Sequence, residues 1–512
     1  MKKIYSILAL ASLIALSSCE LTLYPETGYS EGNVKVDEEA GESQYSTRED
    51  MKGLRDAMYS SWTKDIQEKG YLDWLVYAEC RADNAYGGNP GTGELMAIEA
   101  NKQDGENKNV VRDWDWYQSQ VSNCNNIICN IDRIKESDPT MTDQEYREWK
   151  SEAYCWRAWN LFQMSYIWGD IPLVNTIPPA ITAENIEEVY DEYFPGRTAI
   201  ADIYAQIISE LEYACENAPD TDPANKHLFT KAFAHGMLAR VYAEKSAHQD
   251  WNKVAEHCEI VEGMGFTLCE DYGQMWAYDD NDAVRNTSES IFEVTWTRDN
   301  GNWIWMMYHR NYYDPNNSYT WIKWITPSRD LIAAYAAEGD TERANACITY
   351  DQTGTDPNSA WSNYYPADNY AFMHKCPTNA SSTILMRLGE IYLLHAEALC
   401  MTGDFAGSTE YVNKIRRRAG IKEIAQPADQ DAMIDAVLHE RRLELAFEGF
   451  RFWDLVRHGK AVEVHNAMSD PTSPRYDKYW QVRRPLTEET ILMPIPQEAL
   501  ENNPSLVQNP GY

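Results

Sequence analysis

His439-Glu-Arg-Arg-Leu-Glu-Leu-Ala-Phe-Glu-Gly-Phe-Arg-Phe-Trp-Asp-Leu-Val-Arg-His-Gly-Lys460 is the stretch whose reading decides the fold. Glu440, Glu444 and Glu448 fall at i, i+4 and i+8 and would repel one another along a bare helix face. Cations must therefore lie beside them, and Arg441, Arg442, Arg451 and Arg457 are within reach. Gly449 lets the chain turn so that Phe450, Phe452 and Trp453 pack back on the helix. The segment reads as a partly buried ion-pair network that joins helices, structural rather than catalytic.

Helical hairpins lie upstream. Met237-Leu-Ala-Arg-Val-Tyr-Ala-Glu244 leads to Asp250-Trp251, and Leu388-Gly-Glu-Ile-Tyr-Leu-Leu-His-Ala-Glu397 leads to Asp404-Phe405. Each predicts a helix, a short turn and a second helix, in the tetratricopeptide style, with Leu388, Gly389, Tyr392 and Gly403 near the expected offsets. Such pairs bury their apolar faces only by stacking on neighbours. Thr47-Arg-Glu-Asp50 is a helix start before Met51, Leu54, Met58 and Trp62. Thr142-Asp-Gln-Glu145 is a capping box before Trp149, Trp156, Trp159 and Trp168, which read as core on a helix that stops at Gly169. From about 265 to 383 the periodicity disappears into Gly, Asn, Asp, Pro, Trp and Tyr, although Ile291-Phe-Glu-Val-Thr-Trp296 reads as a short strand or buried segment. That length of irregular chain, rich in aromatics, predicts an ordered, functional insertion.

At the N-terminus, Lys2 and Lys3, an apolar run from Ile4 to Leu16 and Leu16-Ser-Ser-Cys19 have the shape of a secretory signal with a lipidation cysteine. At the other end stand Leu492-Met-Pro-Ile-Pro496 and Gln508-Asn-Pro-Gly-Tyr512, which read as an extended segment docked on the body. Together with the 439–460 stretch, Arg387-Leu-Gly-Glu-Ile-Tyr-Leu-Leu-His-Ala-Glu-Ala398 and Val412-Asn-Lys-Ile-Arg-Arg-Arg-Ala-Gly420, these terminal blocks resemble the SusD/RagB family, in order and at sensible spacing. The resemblance implies a nutrient-binding lipoprotein on the outer membrane. It implies a SusC-like TonB-dependent transporter as partner, lipid on Cys19 and a placement facing the cell exterior. The expected organisation is a signal (1–18), a tether (19–46), an N-terminal helical region (47–264), the insertion (265–383) and a C-terminal helical region (384–512), packed as one body. The fold class is mainly α, a tetratricopeptide-like scaffold with the ligand platform on its loop-rich insertion.

Composition narrows the ligand. The formal net charge of −35 makes nucleic acid an unsuitable partner, since like charges would meet. No phosphate loop, Gly-x-Ser-x-Gly or His-Glu-x-x-His is present and no cysteine cluster has zinc-finger spacing, so no catalytic residue, metal or cofactor is assigned. Of the cysteines, Cys155 and Cys400 fall within apolar helical patterns and read as buried thiols. Cys258 with Cys269, or Cys124 with Cys129, are possible pairs that spacing leaves open.

The chain holds 18 Trp and 33 Tyr against 11 Phe, a bias toward aromatics with a polar edge, which suits a binding surface more than a core. A pyranose stacks its C–H face on such rings while Asp, Asn and Arg reach its hydroxyls. Loop-like sequence puts both halves together at Arg81, Asp83, Asn84 and Tyr86, at Trp114, at Trp303, Trp305 and Tyr308, and at Trp321 and Trp361, which are the candidate ligand contacts. Gly87-Gly-Asn-Pro-Gly-Thr-Gly93 beside the first group permits close backbone approach. The expected function is capture of oligo- or polysaccharide for delivery to the transporter. Peptide cargo on the same fold is the alternative, and a glycoside hydrolase or a protein-binding scaffold are lesser ones.

Overall fold

Thr47 opens the first helix with a reciprocal cap. Its hydroxyl accepts from the Asp50 amide at 3.2 Å, and the Asp50 carboxylate accepts from the Thr47 amide at 2.8 Å. The computed structural model describes residues 45–87, 93–179, 185–279, 282–308, 324–351, 364–480 and 483–512. The signal, Cys19 and the tether before residue 45 lie outside them, as do Trp321, Trp361 and residues 88–92.

Helix α1 (Arg48–Asp65) buries Met51, Met58 and Trp62 and continues through π-helical turns at Gln67–Asp73 and Val76–Cys80 to the short strand β1 (Ala85–Tyr86). After α2 (Gly93–Glu99) come α3 (Lys108–Ser137) and α4 (Asp143–Trp168), the latter capped by Thr142 and Glu145 and ended by Gly169 at φ 77°. The indoles of α4 are core, as their spacing predicts, and Trp62 stacks on Trp156 at 3.8 Å. Next follow α5 (Ile186–Tyr193), α6 (Ile200–Asn217), α7 (Lys231–Ala243) and α8 (Trp251–Glu262). Packing runs in succession from α3 to α4, α6, α7 and α8, and α8 then meets α12 (Leu388–Thr402), which pairs with α13 (Phe405–Arg418). Both hairpins read from the sequence are present, and this stacking is the scaffold.

The expectation that periodicity is lost across 265–383 needs correction. Strand β2 (Ser290–Val294) and the single turn α9 (Trp305–Tyr308) lie there, followed by β3 (Thr326–Pro327), α10 (Arg329–Glu338), α11 (Thr341–Cys347), β4 (Ile348–Asp351), β5 (Tyr370–Met373) and β6 (Thr383–Arg387). Ser328 caps α10, Leu331 and Tyr335 bury one face, and Gly339 closes it in the left-handed region. The helix is too short for its period to stand out from flanking polar sequence. Antiparallel ladders tie the insertion into the body: β1 pairs with β3 and β2 with β6, while β4 pairs with β5. One continuous apolar core includes residues from the first helix, the insertion and the C-terminal segment.

The remaining helices are α14 (Gln430–Glu444), α15 (Arg451–Arg457), α16 (Ala461–Ala467) and α17 (Gln497–Asn502). Around them the ion-pair network is present and more deeply buried than the sequence suggests. Arg387 donates to Glu289 at 2.6 Å, Glu444 at 2.6 Å and Glu448 at 2.7 Å. Arg343 reaches Glu440 at 2.6 Å and Glu444 at 3.1 Å, Arg416 also holds Glu440, and Lys375 holds Glu448. A Cβ on Gly389 would sit 2.3 Å from the Arg387 guanidinium and 2.8 Å from Glu289 and Glu444, so only glycine leaves room for the cluster. The C-terminal segment docks where expected: Asn509 Nδ2 donates to the carbonyls of Trp168 and Met493.

All ten cysteines after Cys19 are free thiols, so neither of the pairings that spacing leaves open forms. Cys124 and Cys129 share α3, and five residues at 3.6 per turn point them to different sides, one buried and one exposed.

Burial pushes the Glu444 carboxyl up, but Arg418, Arg387 and Arg343 overcome it and hold the group well below its usual range. A depressed carboxylate contributes stability above its unfolded value of about 4.3 and loses it as pH falls toward the folded value. Urea unfolding of the wild type should therefore show stability falling as pH drops below about 4.3. Arg387→Ala, which strands buried carboxylates, should cost about 3–5 kcal/mol at neutral pH.

Candidate functional site

Asp83 anchors the most promising surface. It is fully buried and accepts from Arg451 at 2.8 and 3.0 Å and from Arg475 at 2.5 Å. Burial raises its carboxyl, yet Arg442 and Arg451 dominate and hold it well below its usual value. Arg475 also donates to Asp330 at 2.7 Å. Arg475 and Asp330 reach the surface from this buried cluster, and Arg329, Pro474, Tyr476, Asp477, Lys478 and Tyr479 join them around an open groove of about 430 Å³.

Tyr86, on β1, lies fully buried beneath the groove, against Arg329 and Asp477. Its hydroxyl donates to the Asp477 carboxylate and accepts from the Arg329 amide at 3.1 Å. Its ring stacks on Tyr364 at 4.6 Å with planes 3° apart, and Trp480 meets it edge-on at 5.8 Å. Arg329 lies over the rings of Tyr365 at 4.5 Å and Tyr479 at 4.0 Å, and donates to the Tyr364 carbonyl. Tyr364, Tyr365 and Tyr479 are partly buried, Lys478 also lies over Tyr479 at 4.8 Å, and Tyr476 is exposed beside these charged groups. This arrangement can stack an apolar ring face and hydrogen-bond the rim around it.

The sequence-predicted contacts divide sharply. Arg81, Asp83, Asn84, Tyr86, Trp114, Trp305 and Tyr308 are buried, which corrects their reading as ligand contacts. Arg81 donates to the Thr490 carbonyl at 2.8 Å and lies over Phe452, and burial lowers its guanidinium to about 10. Asn84 bridges Glu79 and Arg442, Trp114 packs edge-on against Trp168, and Tyr308 against Tyr71. Asp83 and Tyr86 nevertheless lie directly beneath the groove and position its walls. Trp303 is 36% exposed, on a turn fixed by Asn302 donating to the Asn379 and Ser381 carbonyls. Its backbone amide bonds Gln67, not a groove residue. Trp321 and Trp361 lie outside the described residues.

Sequence reasoning missed Ser473-Pro-Arg-Tyr-Asp-Lys-Tyr-Trp480, which lies within the C-terminal helical region. Its aromatics beside Asp, Arg and Lys carry the same signal that marked the other candidates.

Two other cavities suit a ring less well. An open cleft of about 1000 Å³ is lined by Asp65, Lys69, Arg112, Asp115 and Glu498, and its one indole, Trp116, is buried. Burial, with Glu498 nearby, raises the Asp115 carboxyl to about 7. An enclosed space of about 40 Å³ near Trp74 and Trp453 is large enough only for a few waters.

The SusD family model matches residues 349–512, and a model described as starch-binding associating with outer membrane matches residues 37–243. A SusD-like protein of Formosa agariphila is 25% identical, over 99% of this chain and 98% of that relative. Among solved structures, a SusD homolog from Bacteroides thetaiotaomicron superposes with a TM-score of 0.75 at 20% identity, covering 94% of this chain and 100% of that one. Surface glycan-binding protein A of the same species, in complex with laminarihexaose, gives a TM-score of 0.71 at 19% identity, covering 90% and 99%.

Tyr86→Phe keeps the stacked ring but removes the hydroxyl between Asp477 and Arg329. Chemical denaturation should register a loss of about 1–3 kcal/mol, the cost of leaving a buried partner unpaired, and a crystal structure should show Arg329 displaced from the groove wall.

Proposed function

The chain belongs to the SusD/RagB family, and on that premise we propose that it is a lipid-anchored surface protein that captures oligo- or polysaccharide and passes it to a SusC-like TonB-dependent transporter. The observation that carries the glycan reading is the open groove at Arg329, where Tyr476 is exposed and Tyr479 partly so, with Asp330, Arg475 and Lys478 along its rim. A sugar presents an apolar face to a phenol ring and hydroxyls to the groups beside it, and a shallow open groove admits a chain that continues past both ends. The laminarihexaose complex of the Bacteroides thetaiotaomicron protein supports the same class of cargo.

In this reading Cys19 carries the lipid and the tether before residue 45 holds the body clear of the outer membrane, facing the cell exterior. Among the described residues no helix is long and apolar enough to cross a membrane. The proposal includes no catalytic step. Asp330 is engaged by Arg442 and Arg475, and Asp477 by Tyr86, so the groove carboxylates are committed to bonds within the protein.

A second reading, peptide cargo on the same surface, is favoured by the density of charge at Arg329, Asp330, Arg475 and Lys478. One binding screen separates the two. Calorimetry of the full chain against a polysaccharide panel and against peptide digests should give saturable binding to a glycan and no release of reducing ends. Tyr479→Ala should weaken that binding by more than about 1 kcal/mol, roughly fivefold, as truncation of a stacking anchor does. Tyr479→Phe should retain most of it. Saturation by peptides alone would move the assignment to the second reading, and unchanged glycan affinity in Tyr479→Ala would remove the groove from the site.

A further inference from the structure

Two buried carboxylates stand against one guanidinium where the first π-helical turn packs on α3, and neither the ionic cluster at Arg387 nor the groove uses them. Asp73 closes the turn Gln67–Asp73, Asp113 lies on α3, and both side chains are fully buried. Arg112, also on α3, donates to Asp73 Oδ2, and its Nη2 lies 3.5 Å from Asp113 Oδ1. Asn109 Nδ2 donates to Asp73 at 2.8 Å and the Tyr77 hydroxyl to Asp113 at 2.9 Å. Among the described residues Arg112 is the only cation paired with either carboxylate. Glu68, on the same turn, takes part of its charge, while Lys69 turns to Asp65 at 3.8 Å. Tyr117 on α3 and Tyr308 on α9 also lie near the pair, and burial keeps both phenols protonated.

One positive charge cannot balance two carboxylates at this depth. A buried carboxylate without compensation takes up a proton instead of staying charged. The hydrogen bonds show the same imbalance. Oδ1 of Asp73 and Oδ1 of Asp113 are buried and accept no hydrogen bond from a protein donor, although the two carboxyls lie within hydrogen-bonding reach of each other. A proton held between them makes one carboxyl a donor and the other its acceptor. Burial raises both groups. At Asp113 the Asp73 charge adds to that rise, and at Asp73 Arg112 and Asn109 offset part of it.

We propose that Asp73 and Asp113 share one proton and act together as a pH-responsive clasp between the π-helical turn and α3, closed while the proton is held and loosened once it is lost. The proton belongs to the pair rather than to either residue. In the closed state the pair carries a single negative charge against Arg112. Loss of the proton leaves a second negative charge in the same buried space, and the turn must part from α3 to hydrate it. A carboxyl held above its unfolded value of about 3.9 binds its proton more tightly in the folded chain, so stability falls as pH rises past that value, until the pair has ionised. Gln67 heads the turn, and its Oε1 accepts from the Trp303 amide at 2.8 Å. Loosening therefore reaches the segment of the insertion that carries the exposed Trp303 indole.

Hydrogen exchange of the full chain across neutral pH, with each rate corrected for base catalysis, tests the clasp. In the parent, protection of the Gln67–Asp73 amides and of the Trp303 amide should fall with rising pH by as much as about tenfold per unit, the dependence that release of one proton gives. Asp73→Asn and Asp113→Asn each place an amide N–H where the shared proton sits and leave one carboxylate for Arg112. Each should fold like the parent and hold that protection nearly constant over the same range. Infrared difference spectra at neutral pH should show the C=O stretch of a buried carboxylic acid that the parent has and each variant lacks. Parent protection that does not vary with pH, variants whose protection varies as steeply as the parent's, or a carboxylic acid band retained in both variants would overturn the assignment.

Discussion

Arg387 stands where β6 runs into α12, and its guanidinium is the point on which the scaffold, the insertion and the C-terminal motif converge. It binds Glu289 at the entry to β2 and Glu444 and Glu448 from the 439–460 stretch. Glu440, Glu444 and Glu448 repel one another along α14 and its continuation, so that segment can be buried only once Arg343, Arg387, Arg416 and Lys375 arrive from elsewhere in the chain. Taking so many charges out of water is costly, and their mutual attraction recovers it only in good geometry with the remaining lone pairs satisfied. Docking of each segment is therefore conditional on the others. Gly389 belongs to the same constraint, because any side chain there would occupy the space in which the guanidinium meets its carboxylates.

From this cluster the motif continues toward the surface. Gly449 turns the chain at φ 86°, its amide donates to buried Glu79, and Glu79 in turn holds Asn84. Arg442, which also holds Asn84, and Arg451 then fix Asp83, and Asp83 fixes Arg475 at the groove. The tyrosine surface thus rests on buried ionic and hydrogen-bonded contacts rather than on loop packing alone. A groove supported in this way orders its walls before a ligand arrives, which limits the conformational entropy lost on binding.

The scaffold was legible because its signals are periodic or stereochemical. The capping boxes at Thr47 and Thr142, the stop at Gly169, the two hairpins and the carboxylate spacing at Glu440, Glu444 and Glu448 each name their own structural solution. The candidate surface was legible only as a composition. Arg81, Asp83, Asn84 and Tyr86 combine the right residue types in loop-like sequence, yet π-helical turns carry the chain inward and bury all of them. No local pattern distinguishes an aromatic that floors a groove from one that lines it, since that difference is set by a partner hundreds of residues away, such as Asp477 for Tyr86. The short helix at Arg329–Glu338 was missed for a related reason: a few turns bury too few side chains to establish a period.

This division follows from what each part must do. A stacked scaffold and a buried ionic cluster tolerate few alternatives, since a misplaced charge is penalised whatever the cargo. A groove of tyrosines admits many, because each phenol contributes stacking area and a hydrogen-bonding edge independently of its neighbours. The fold can accordingly be shared with the Bacteroides structures at about a fifth of identical residues. In this chain the two requirements meet at Arg475, whose one guanidinium is held by buried Asp83 and by Asp330 at the rim. A change at Tyr476 or Lys478, which are exposed, stays at the surface, whereas a change at Arg475 acts on the groove and its foundation together.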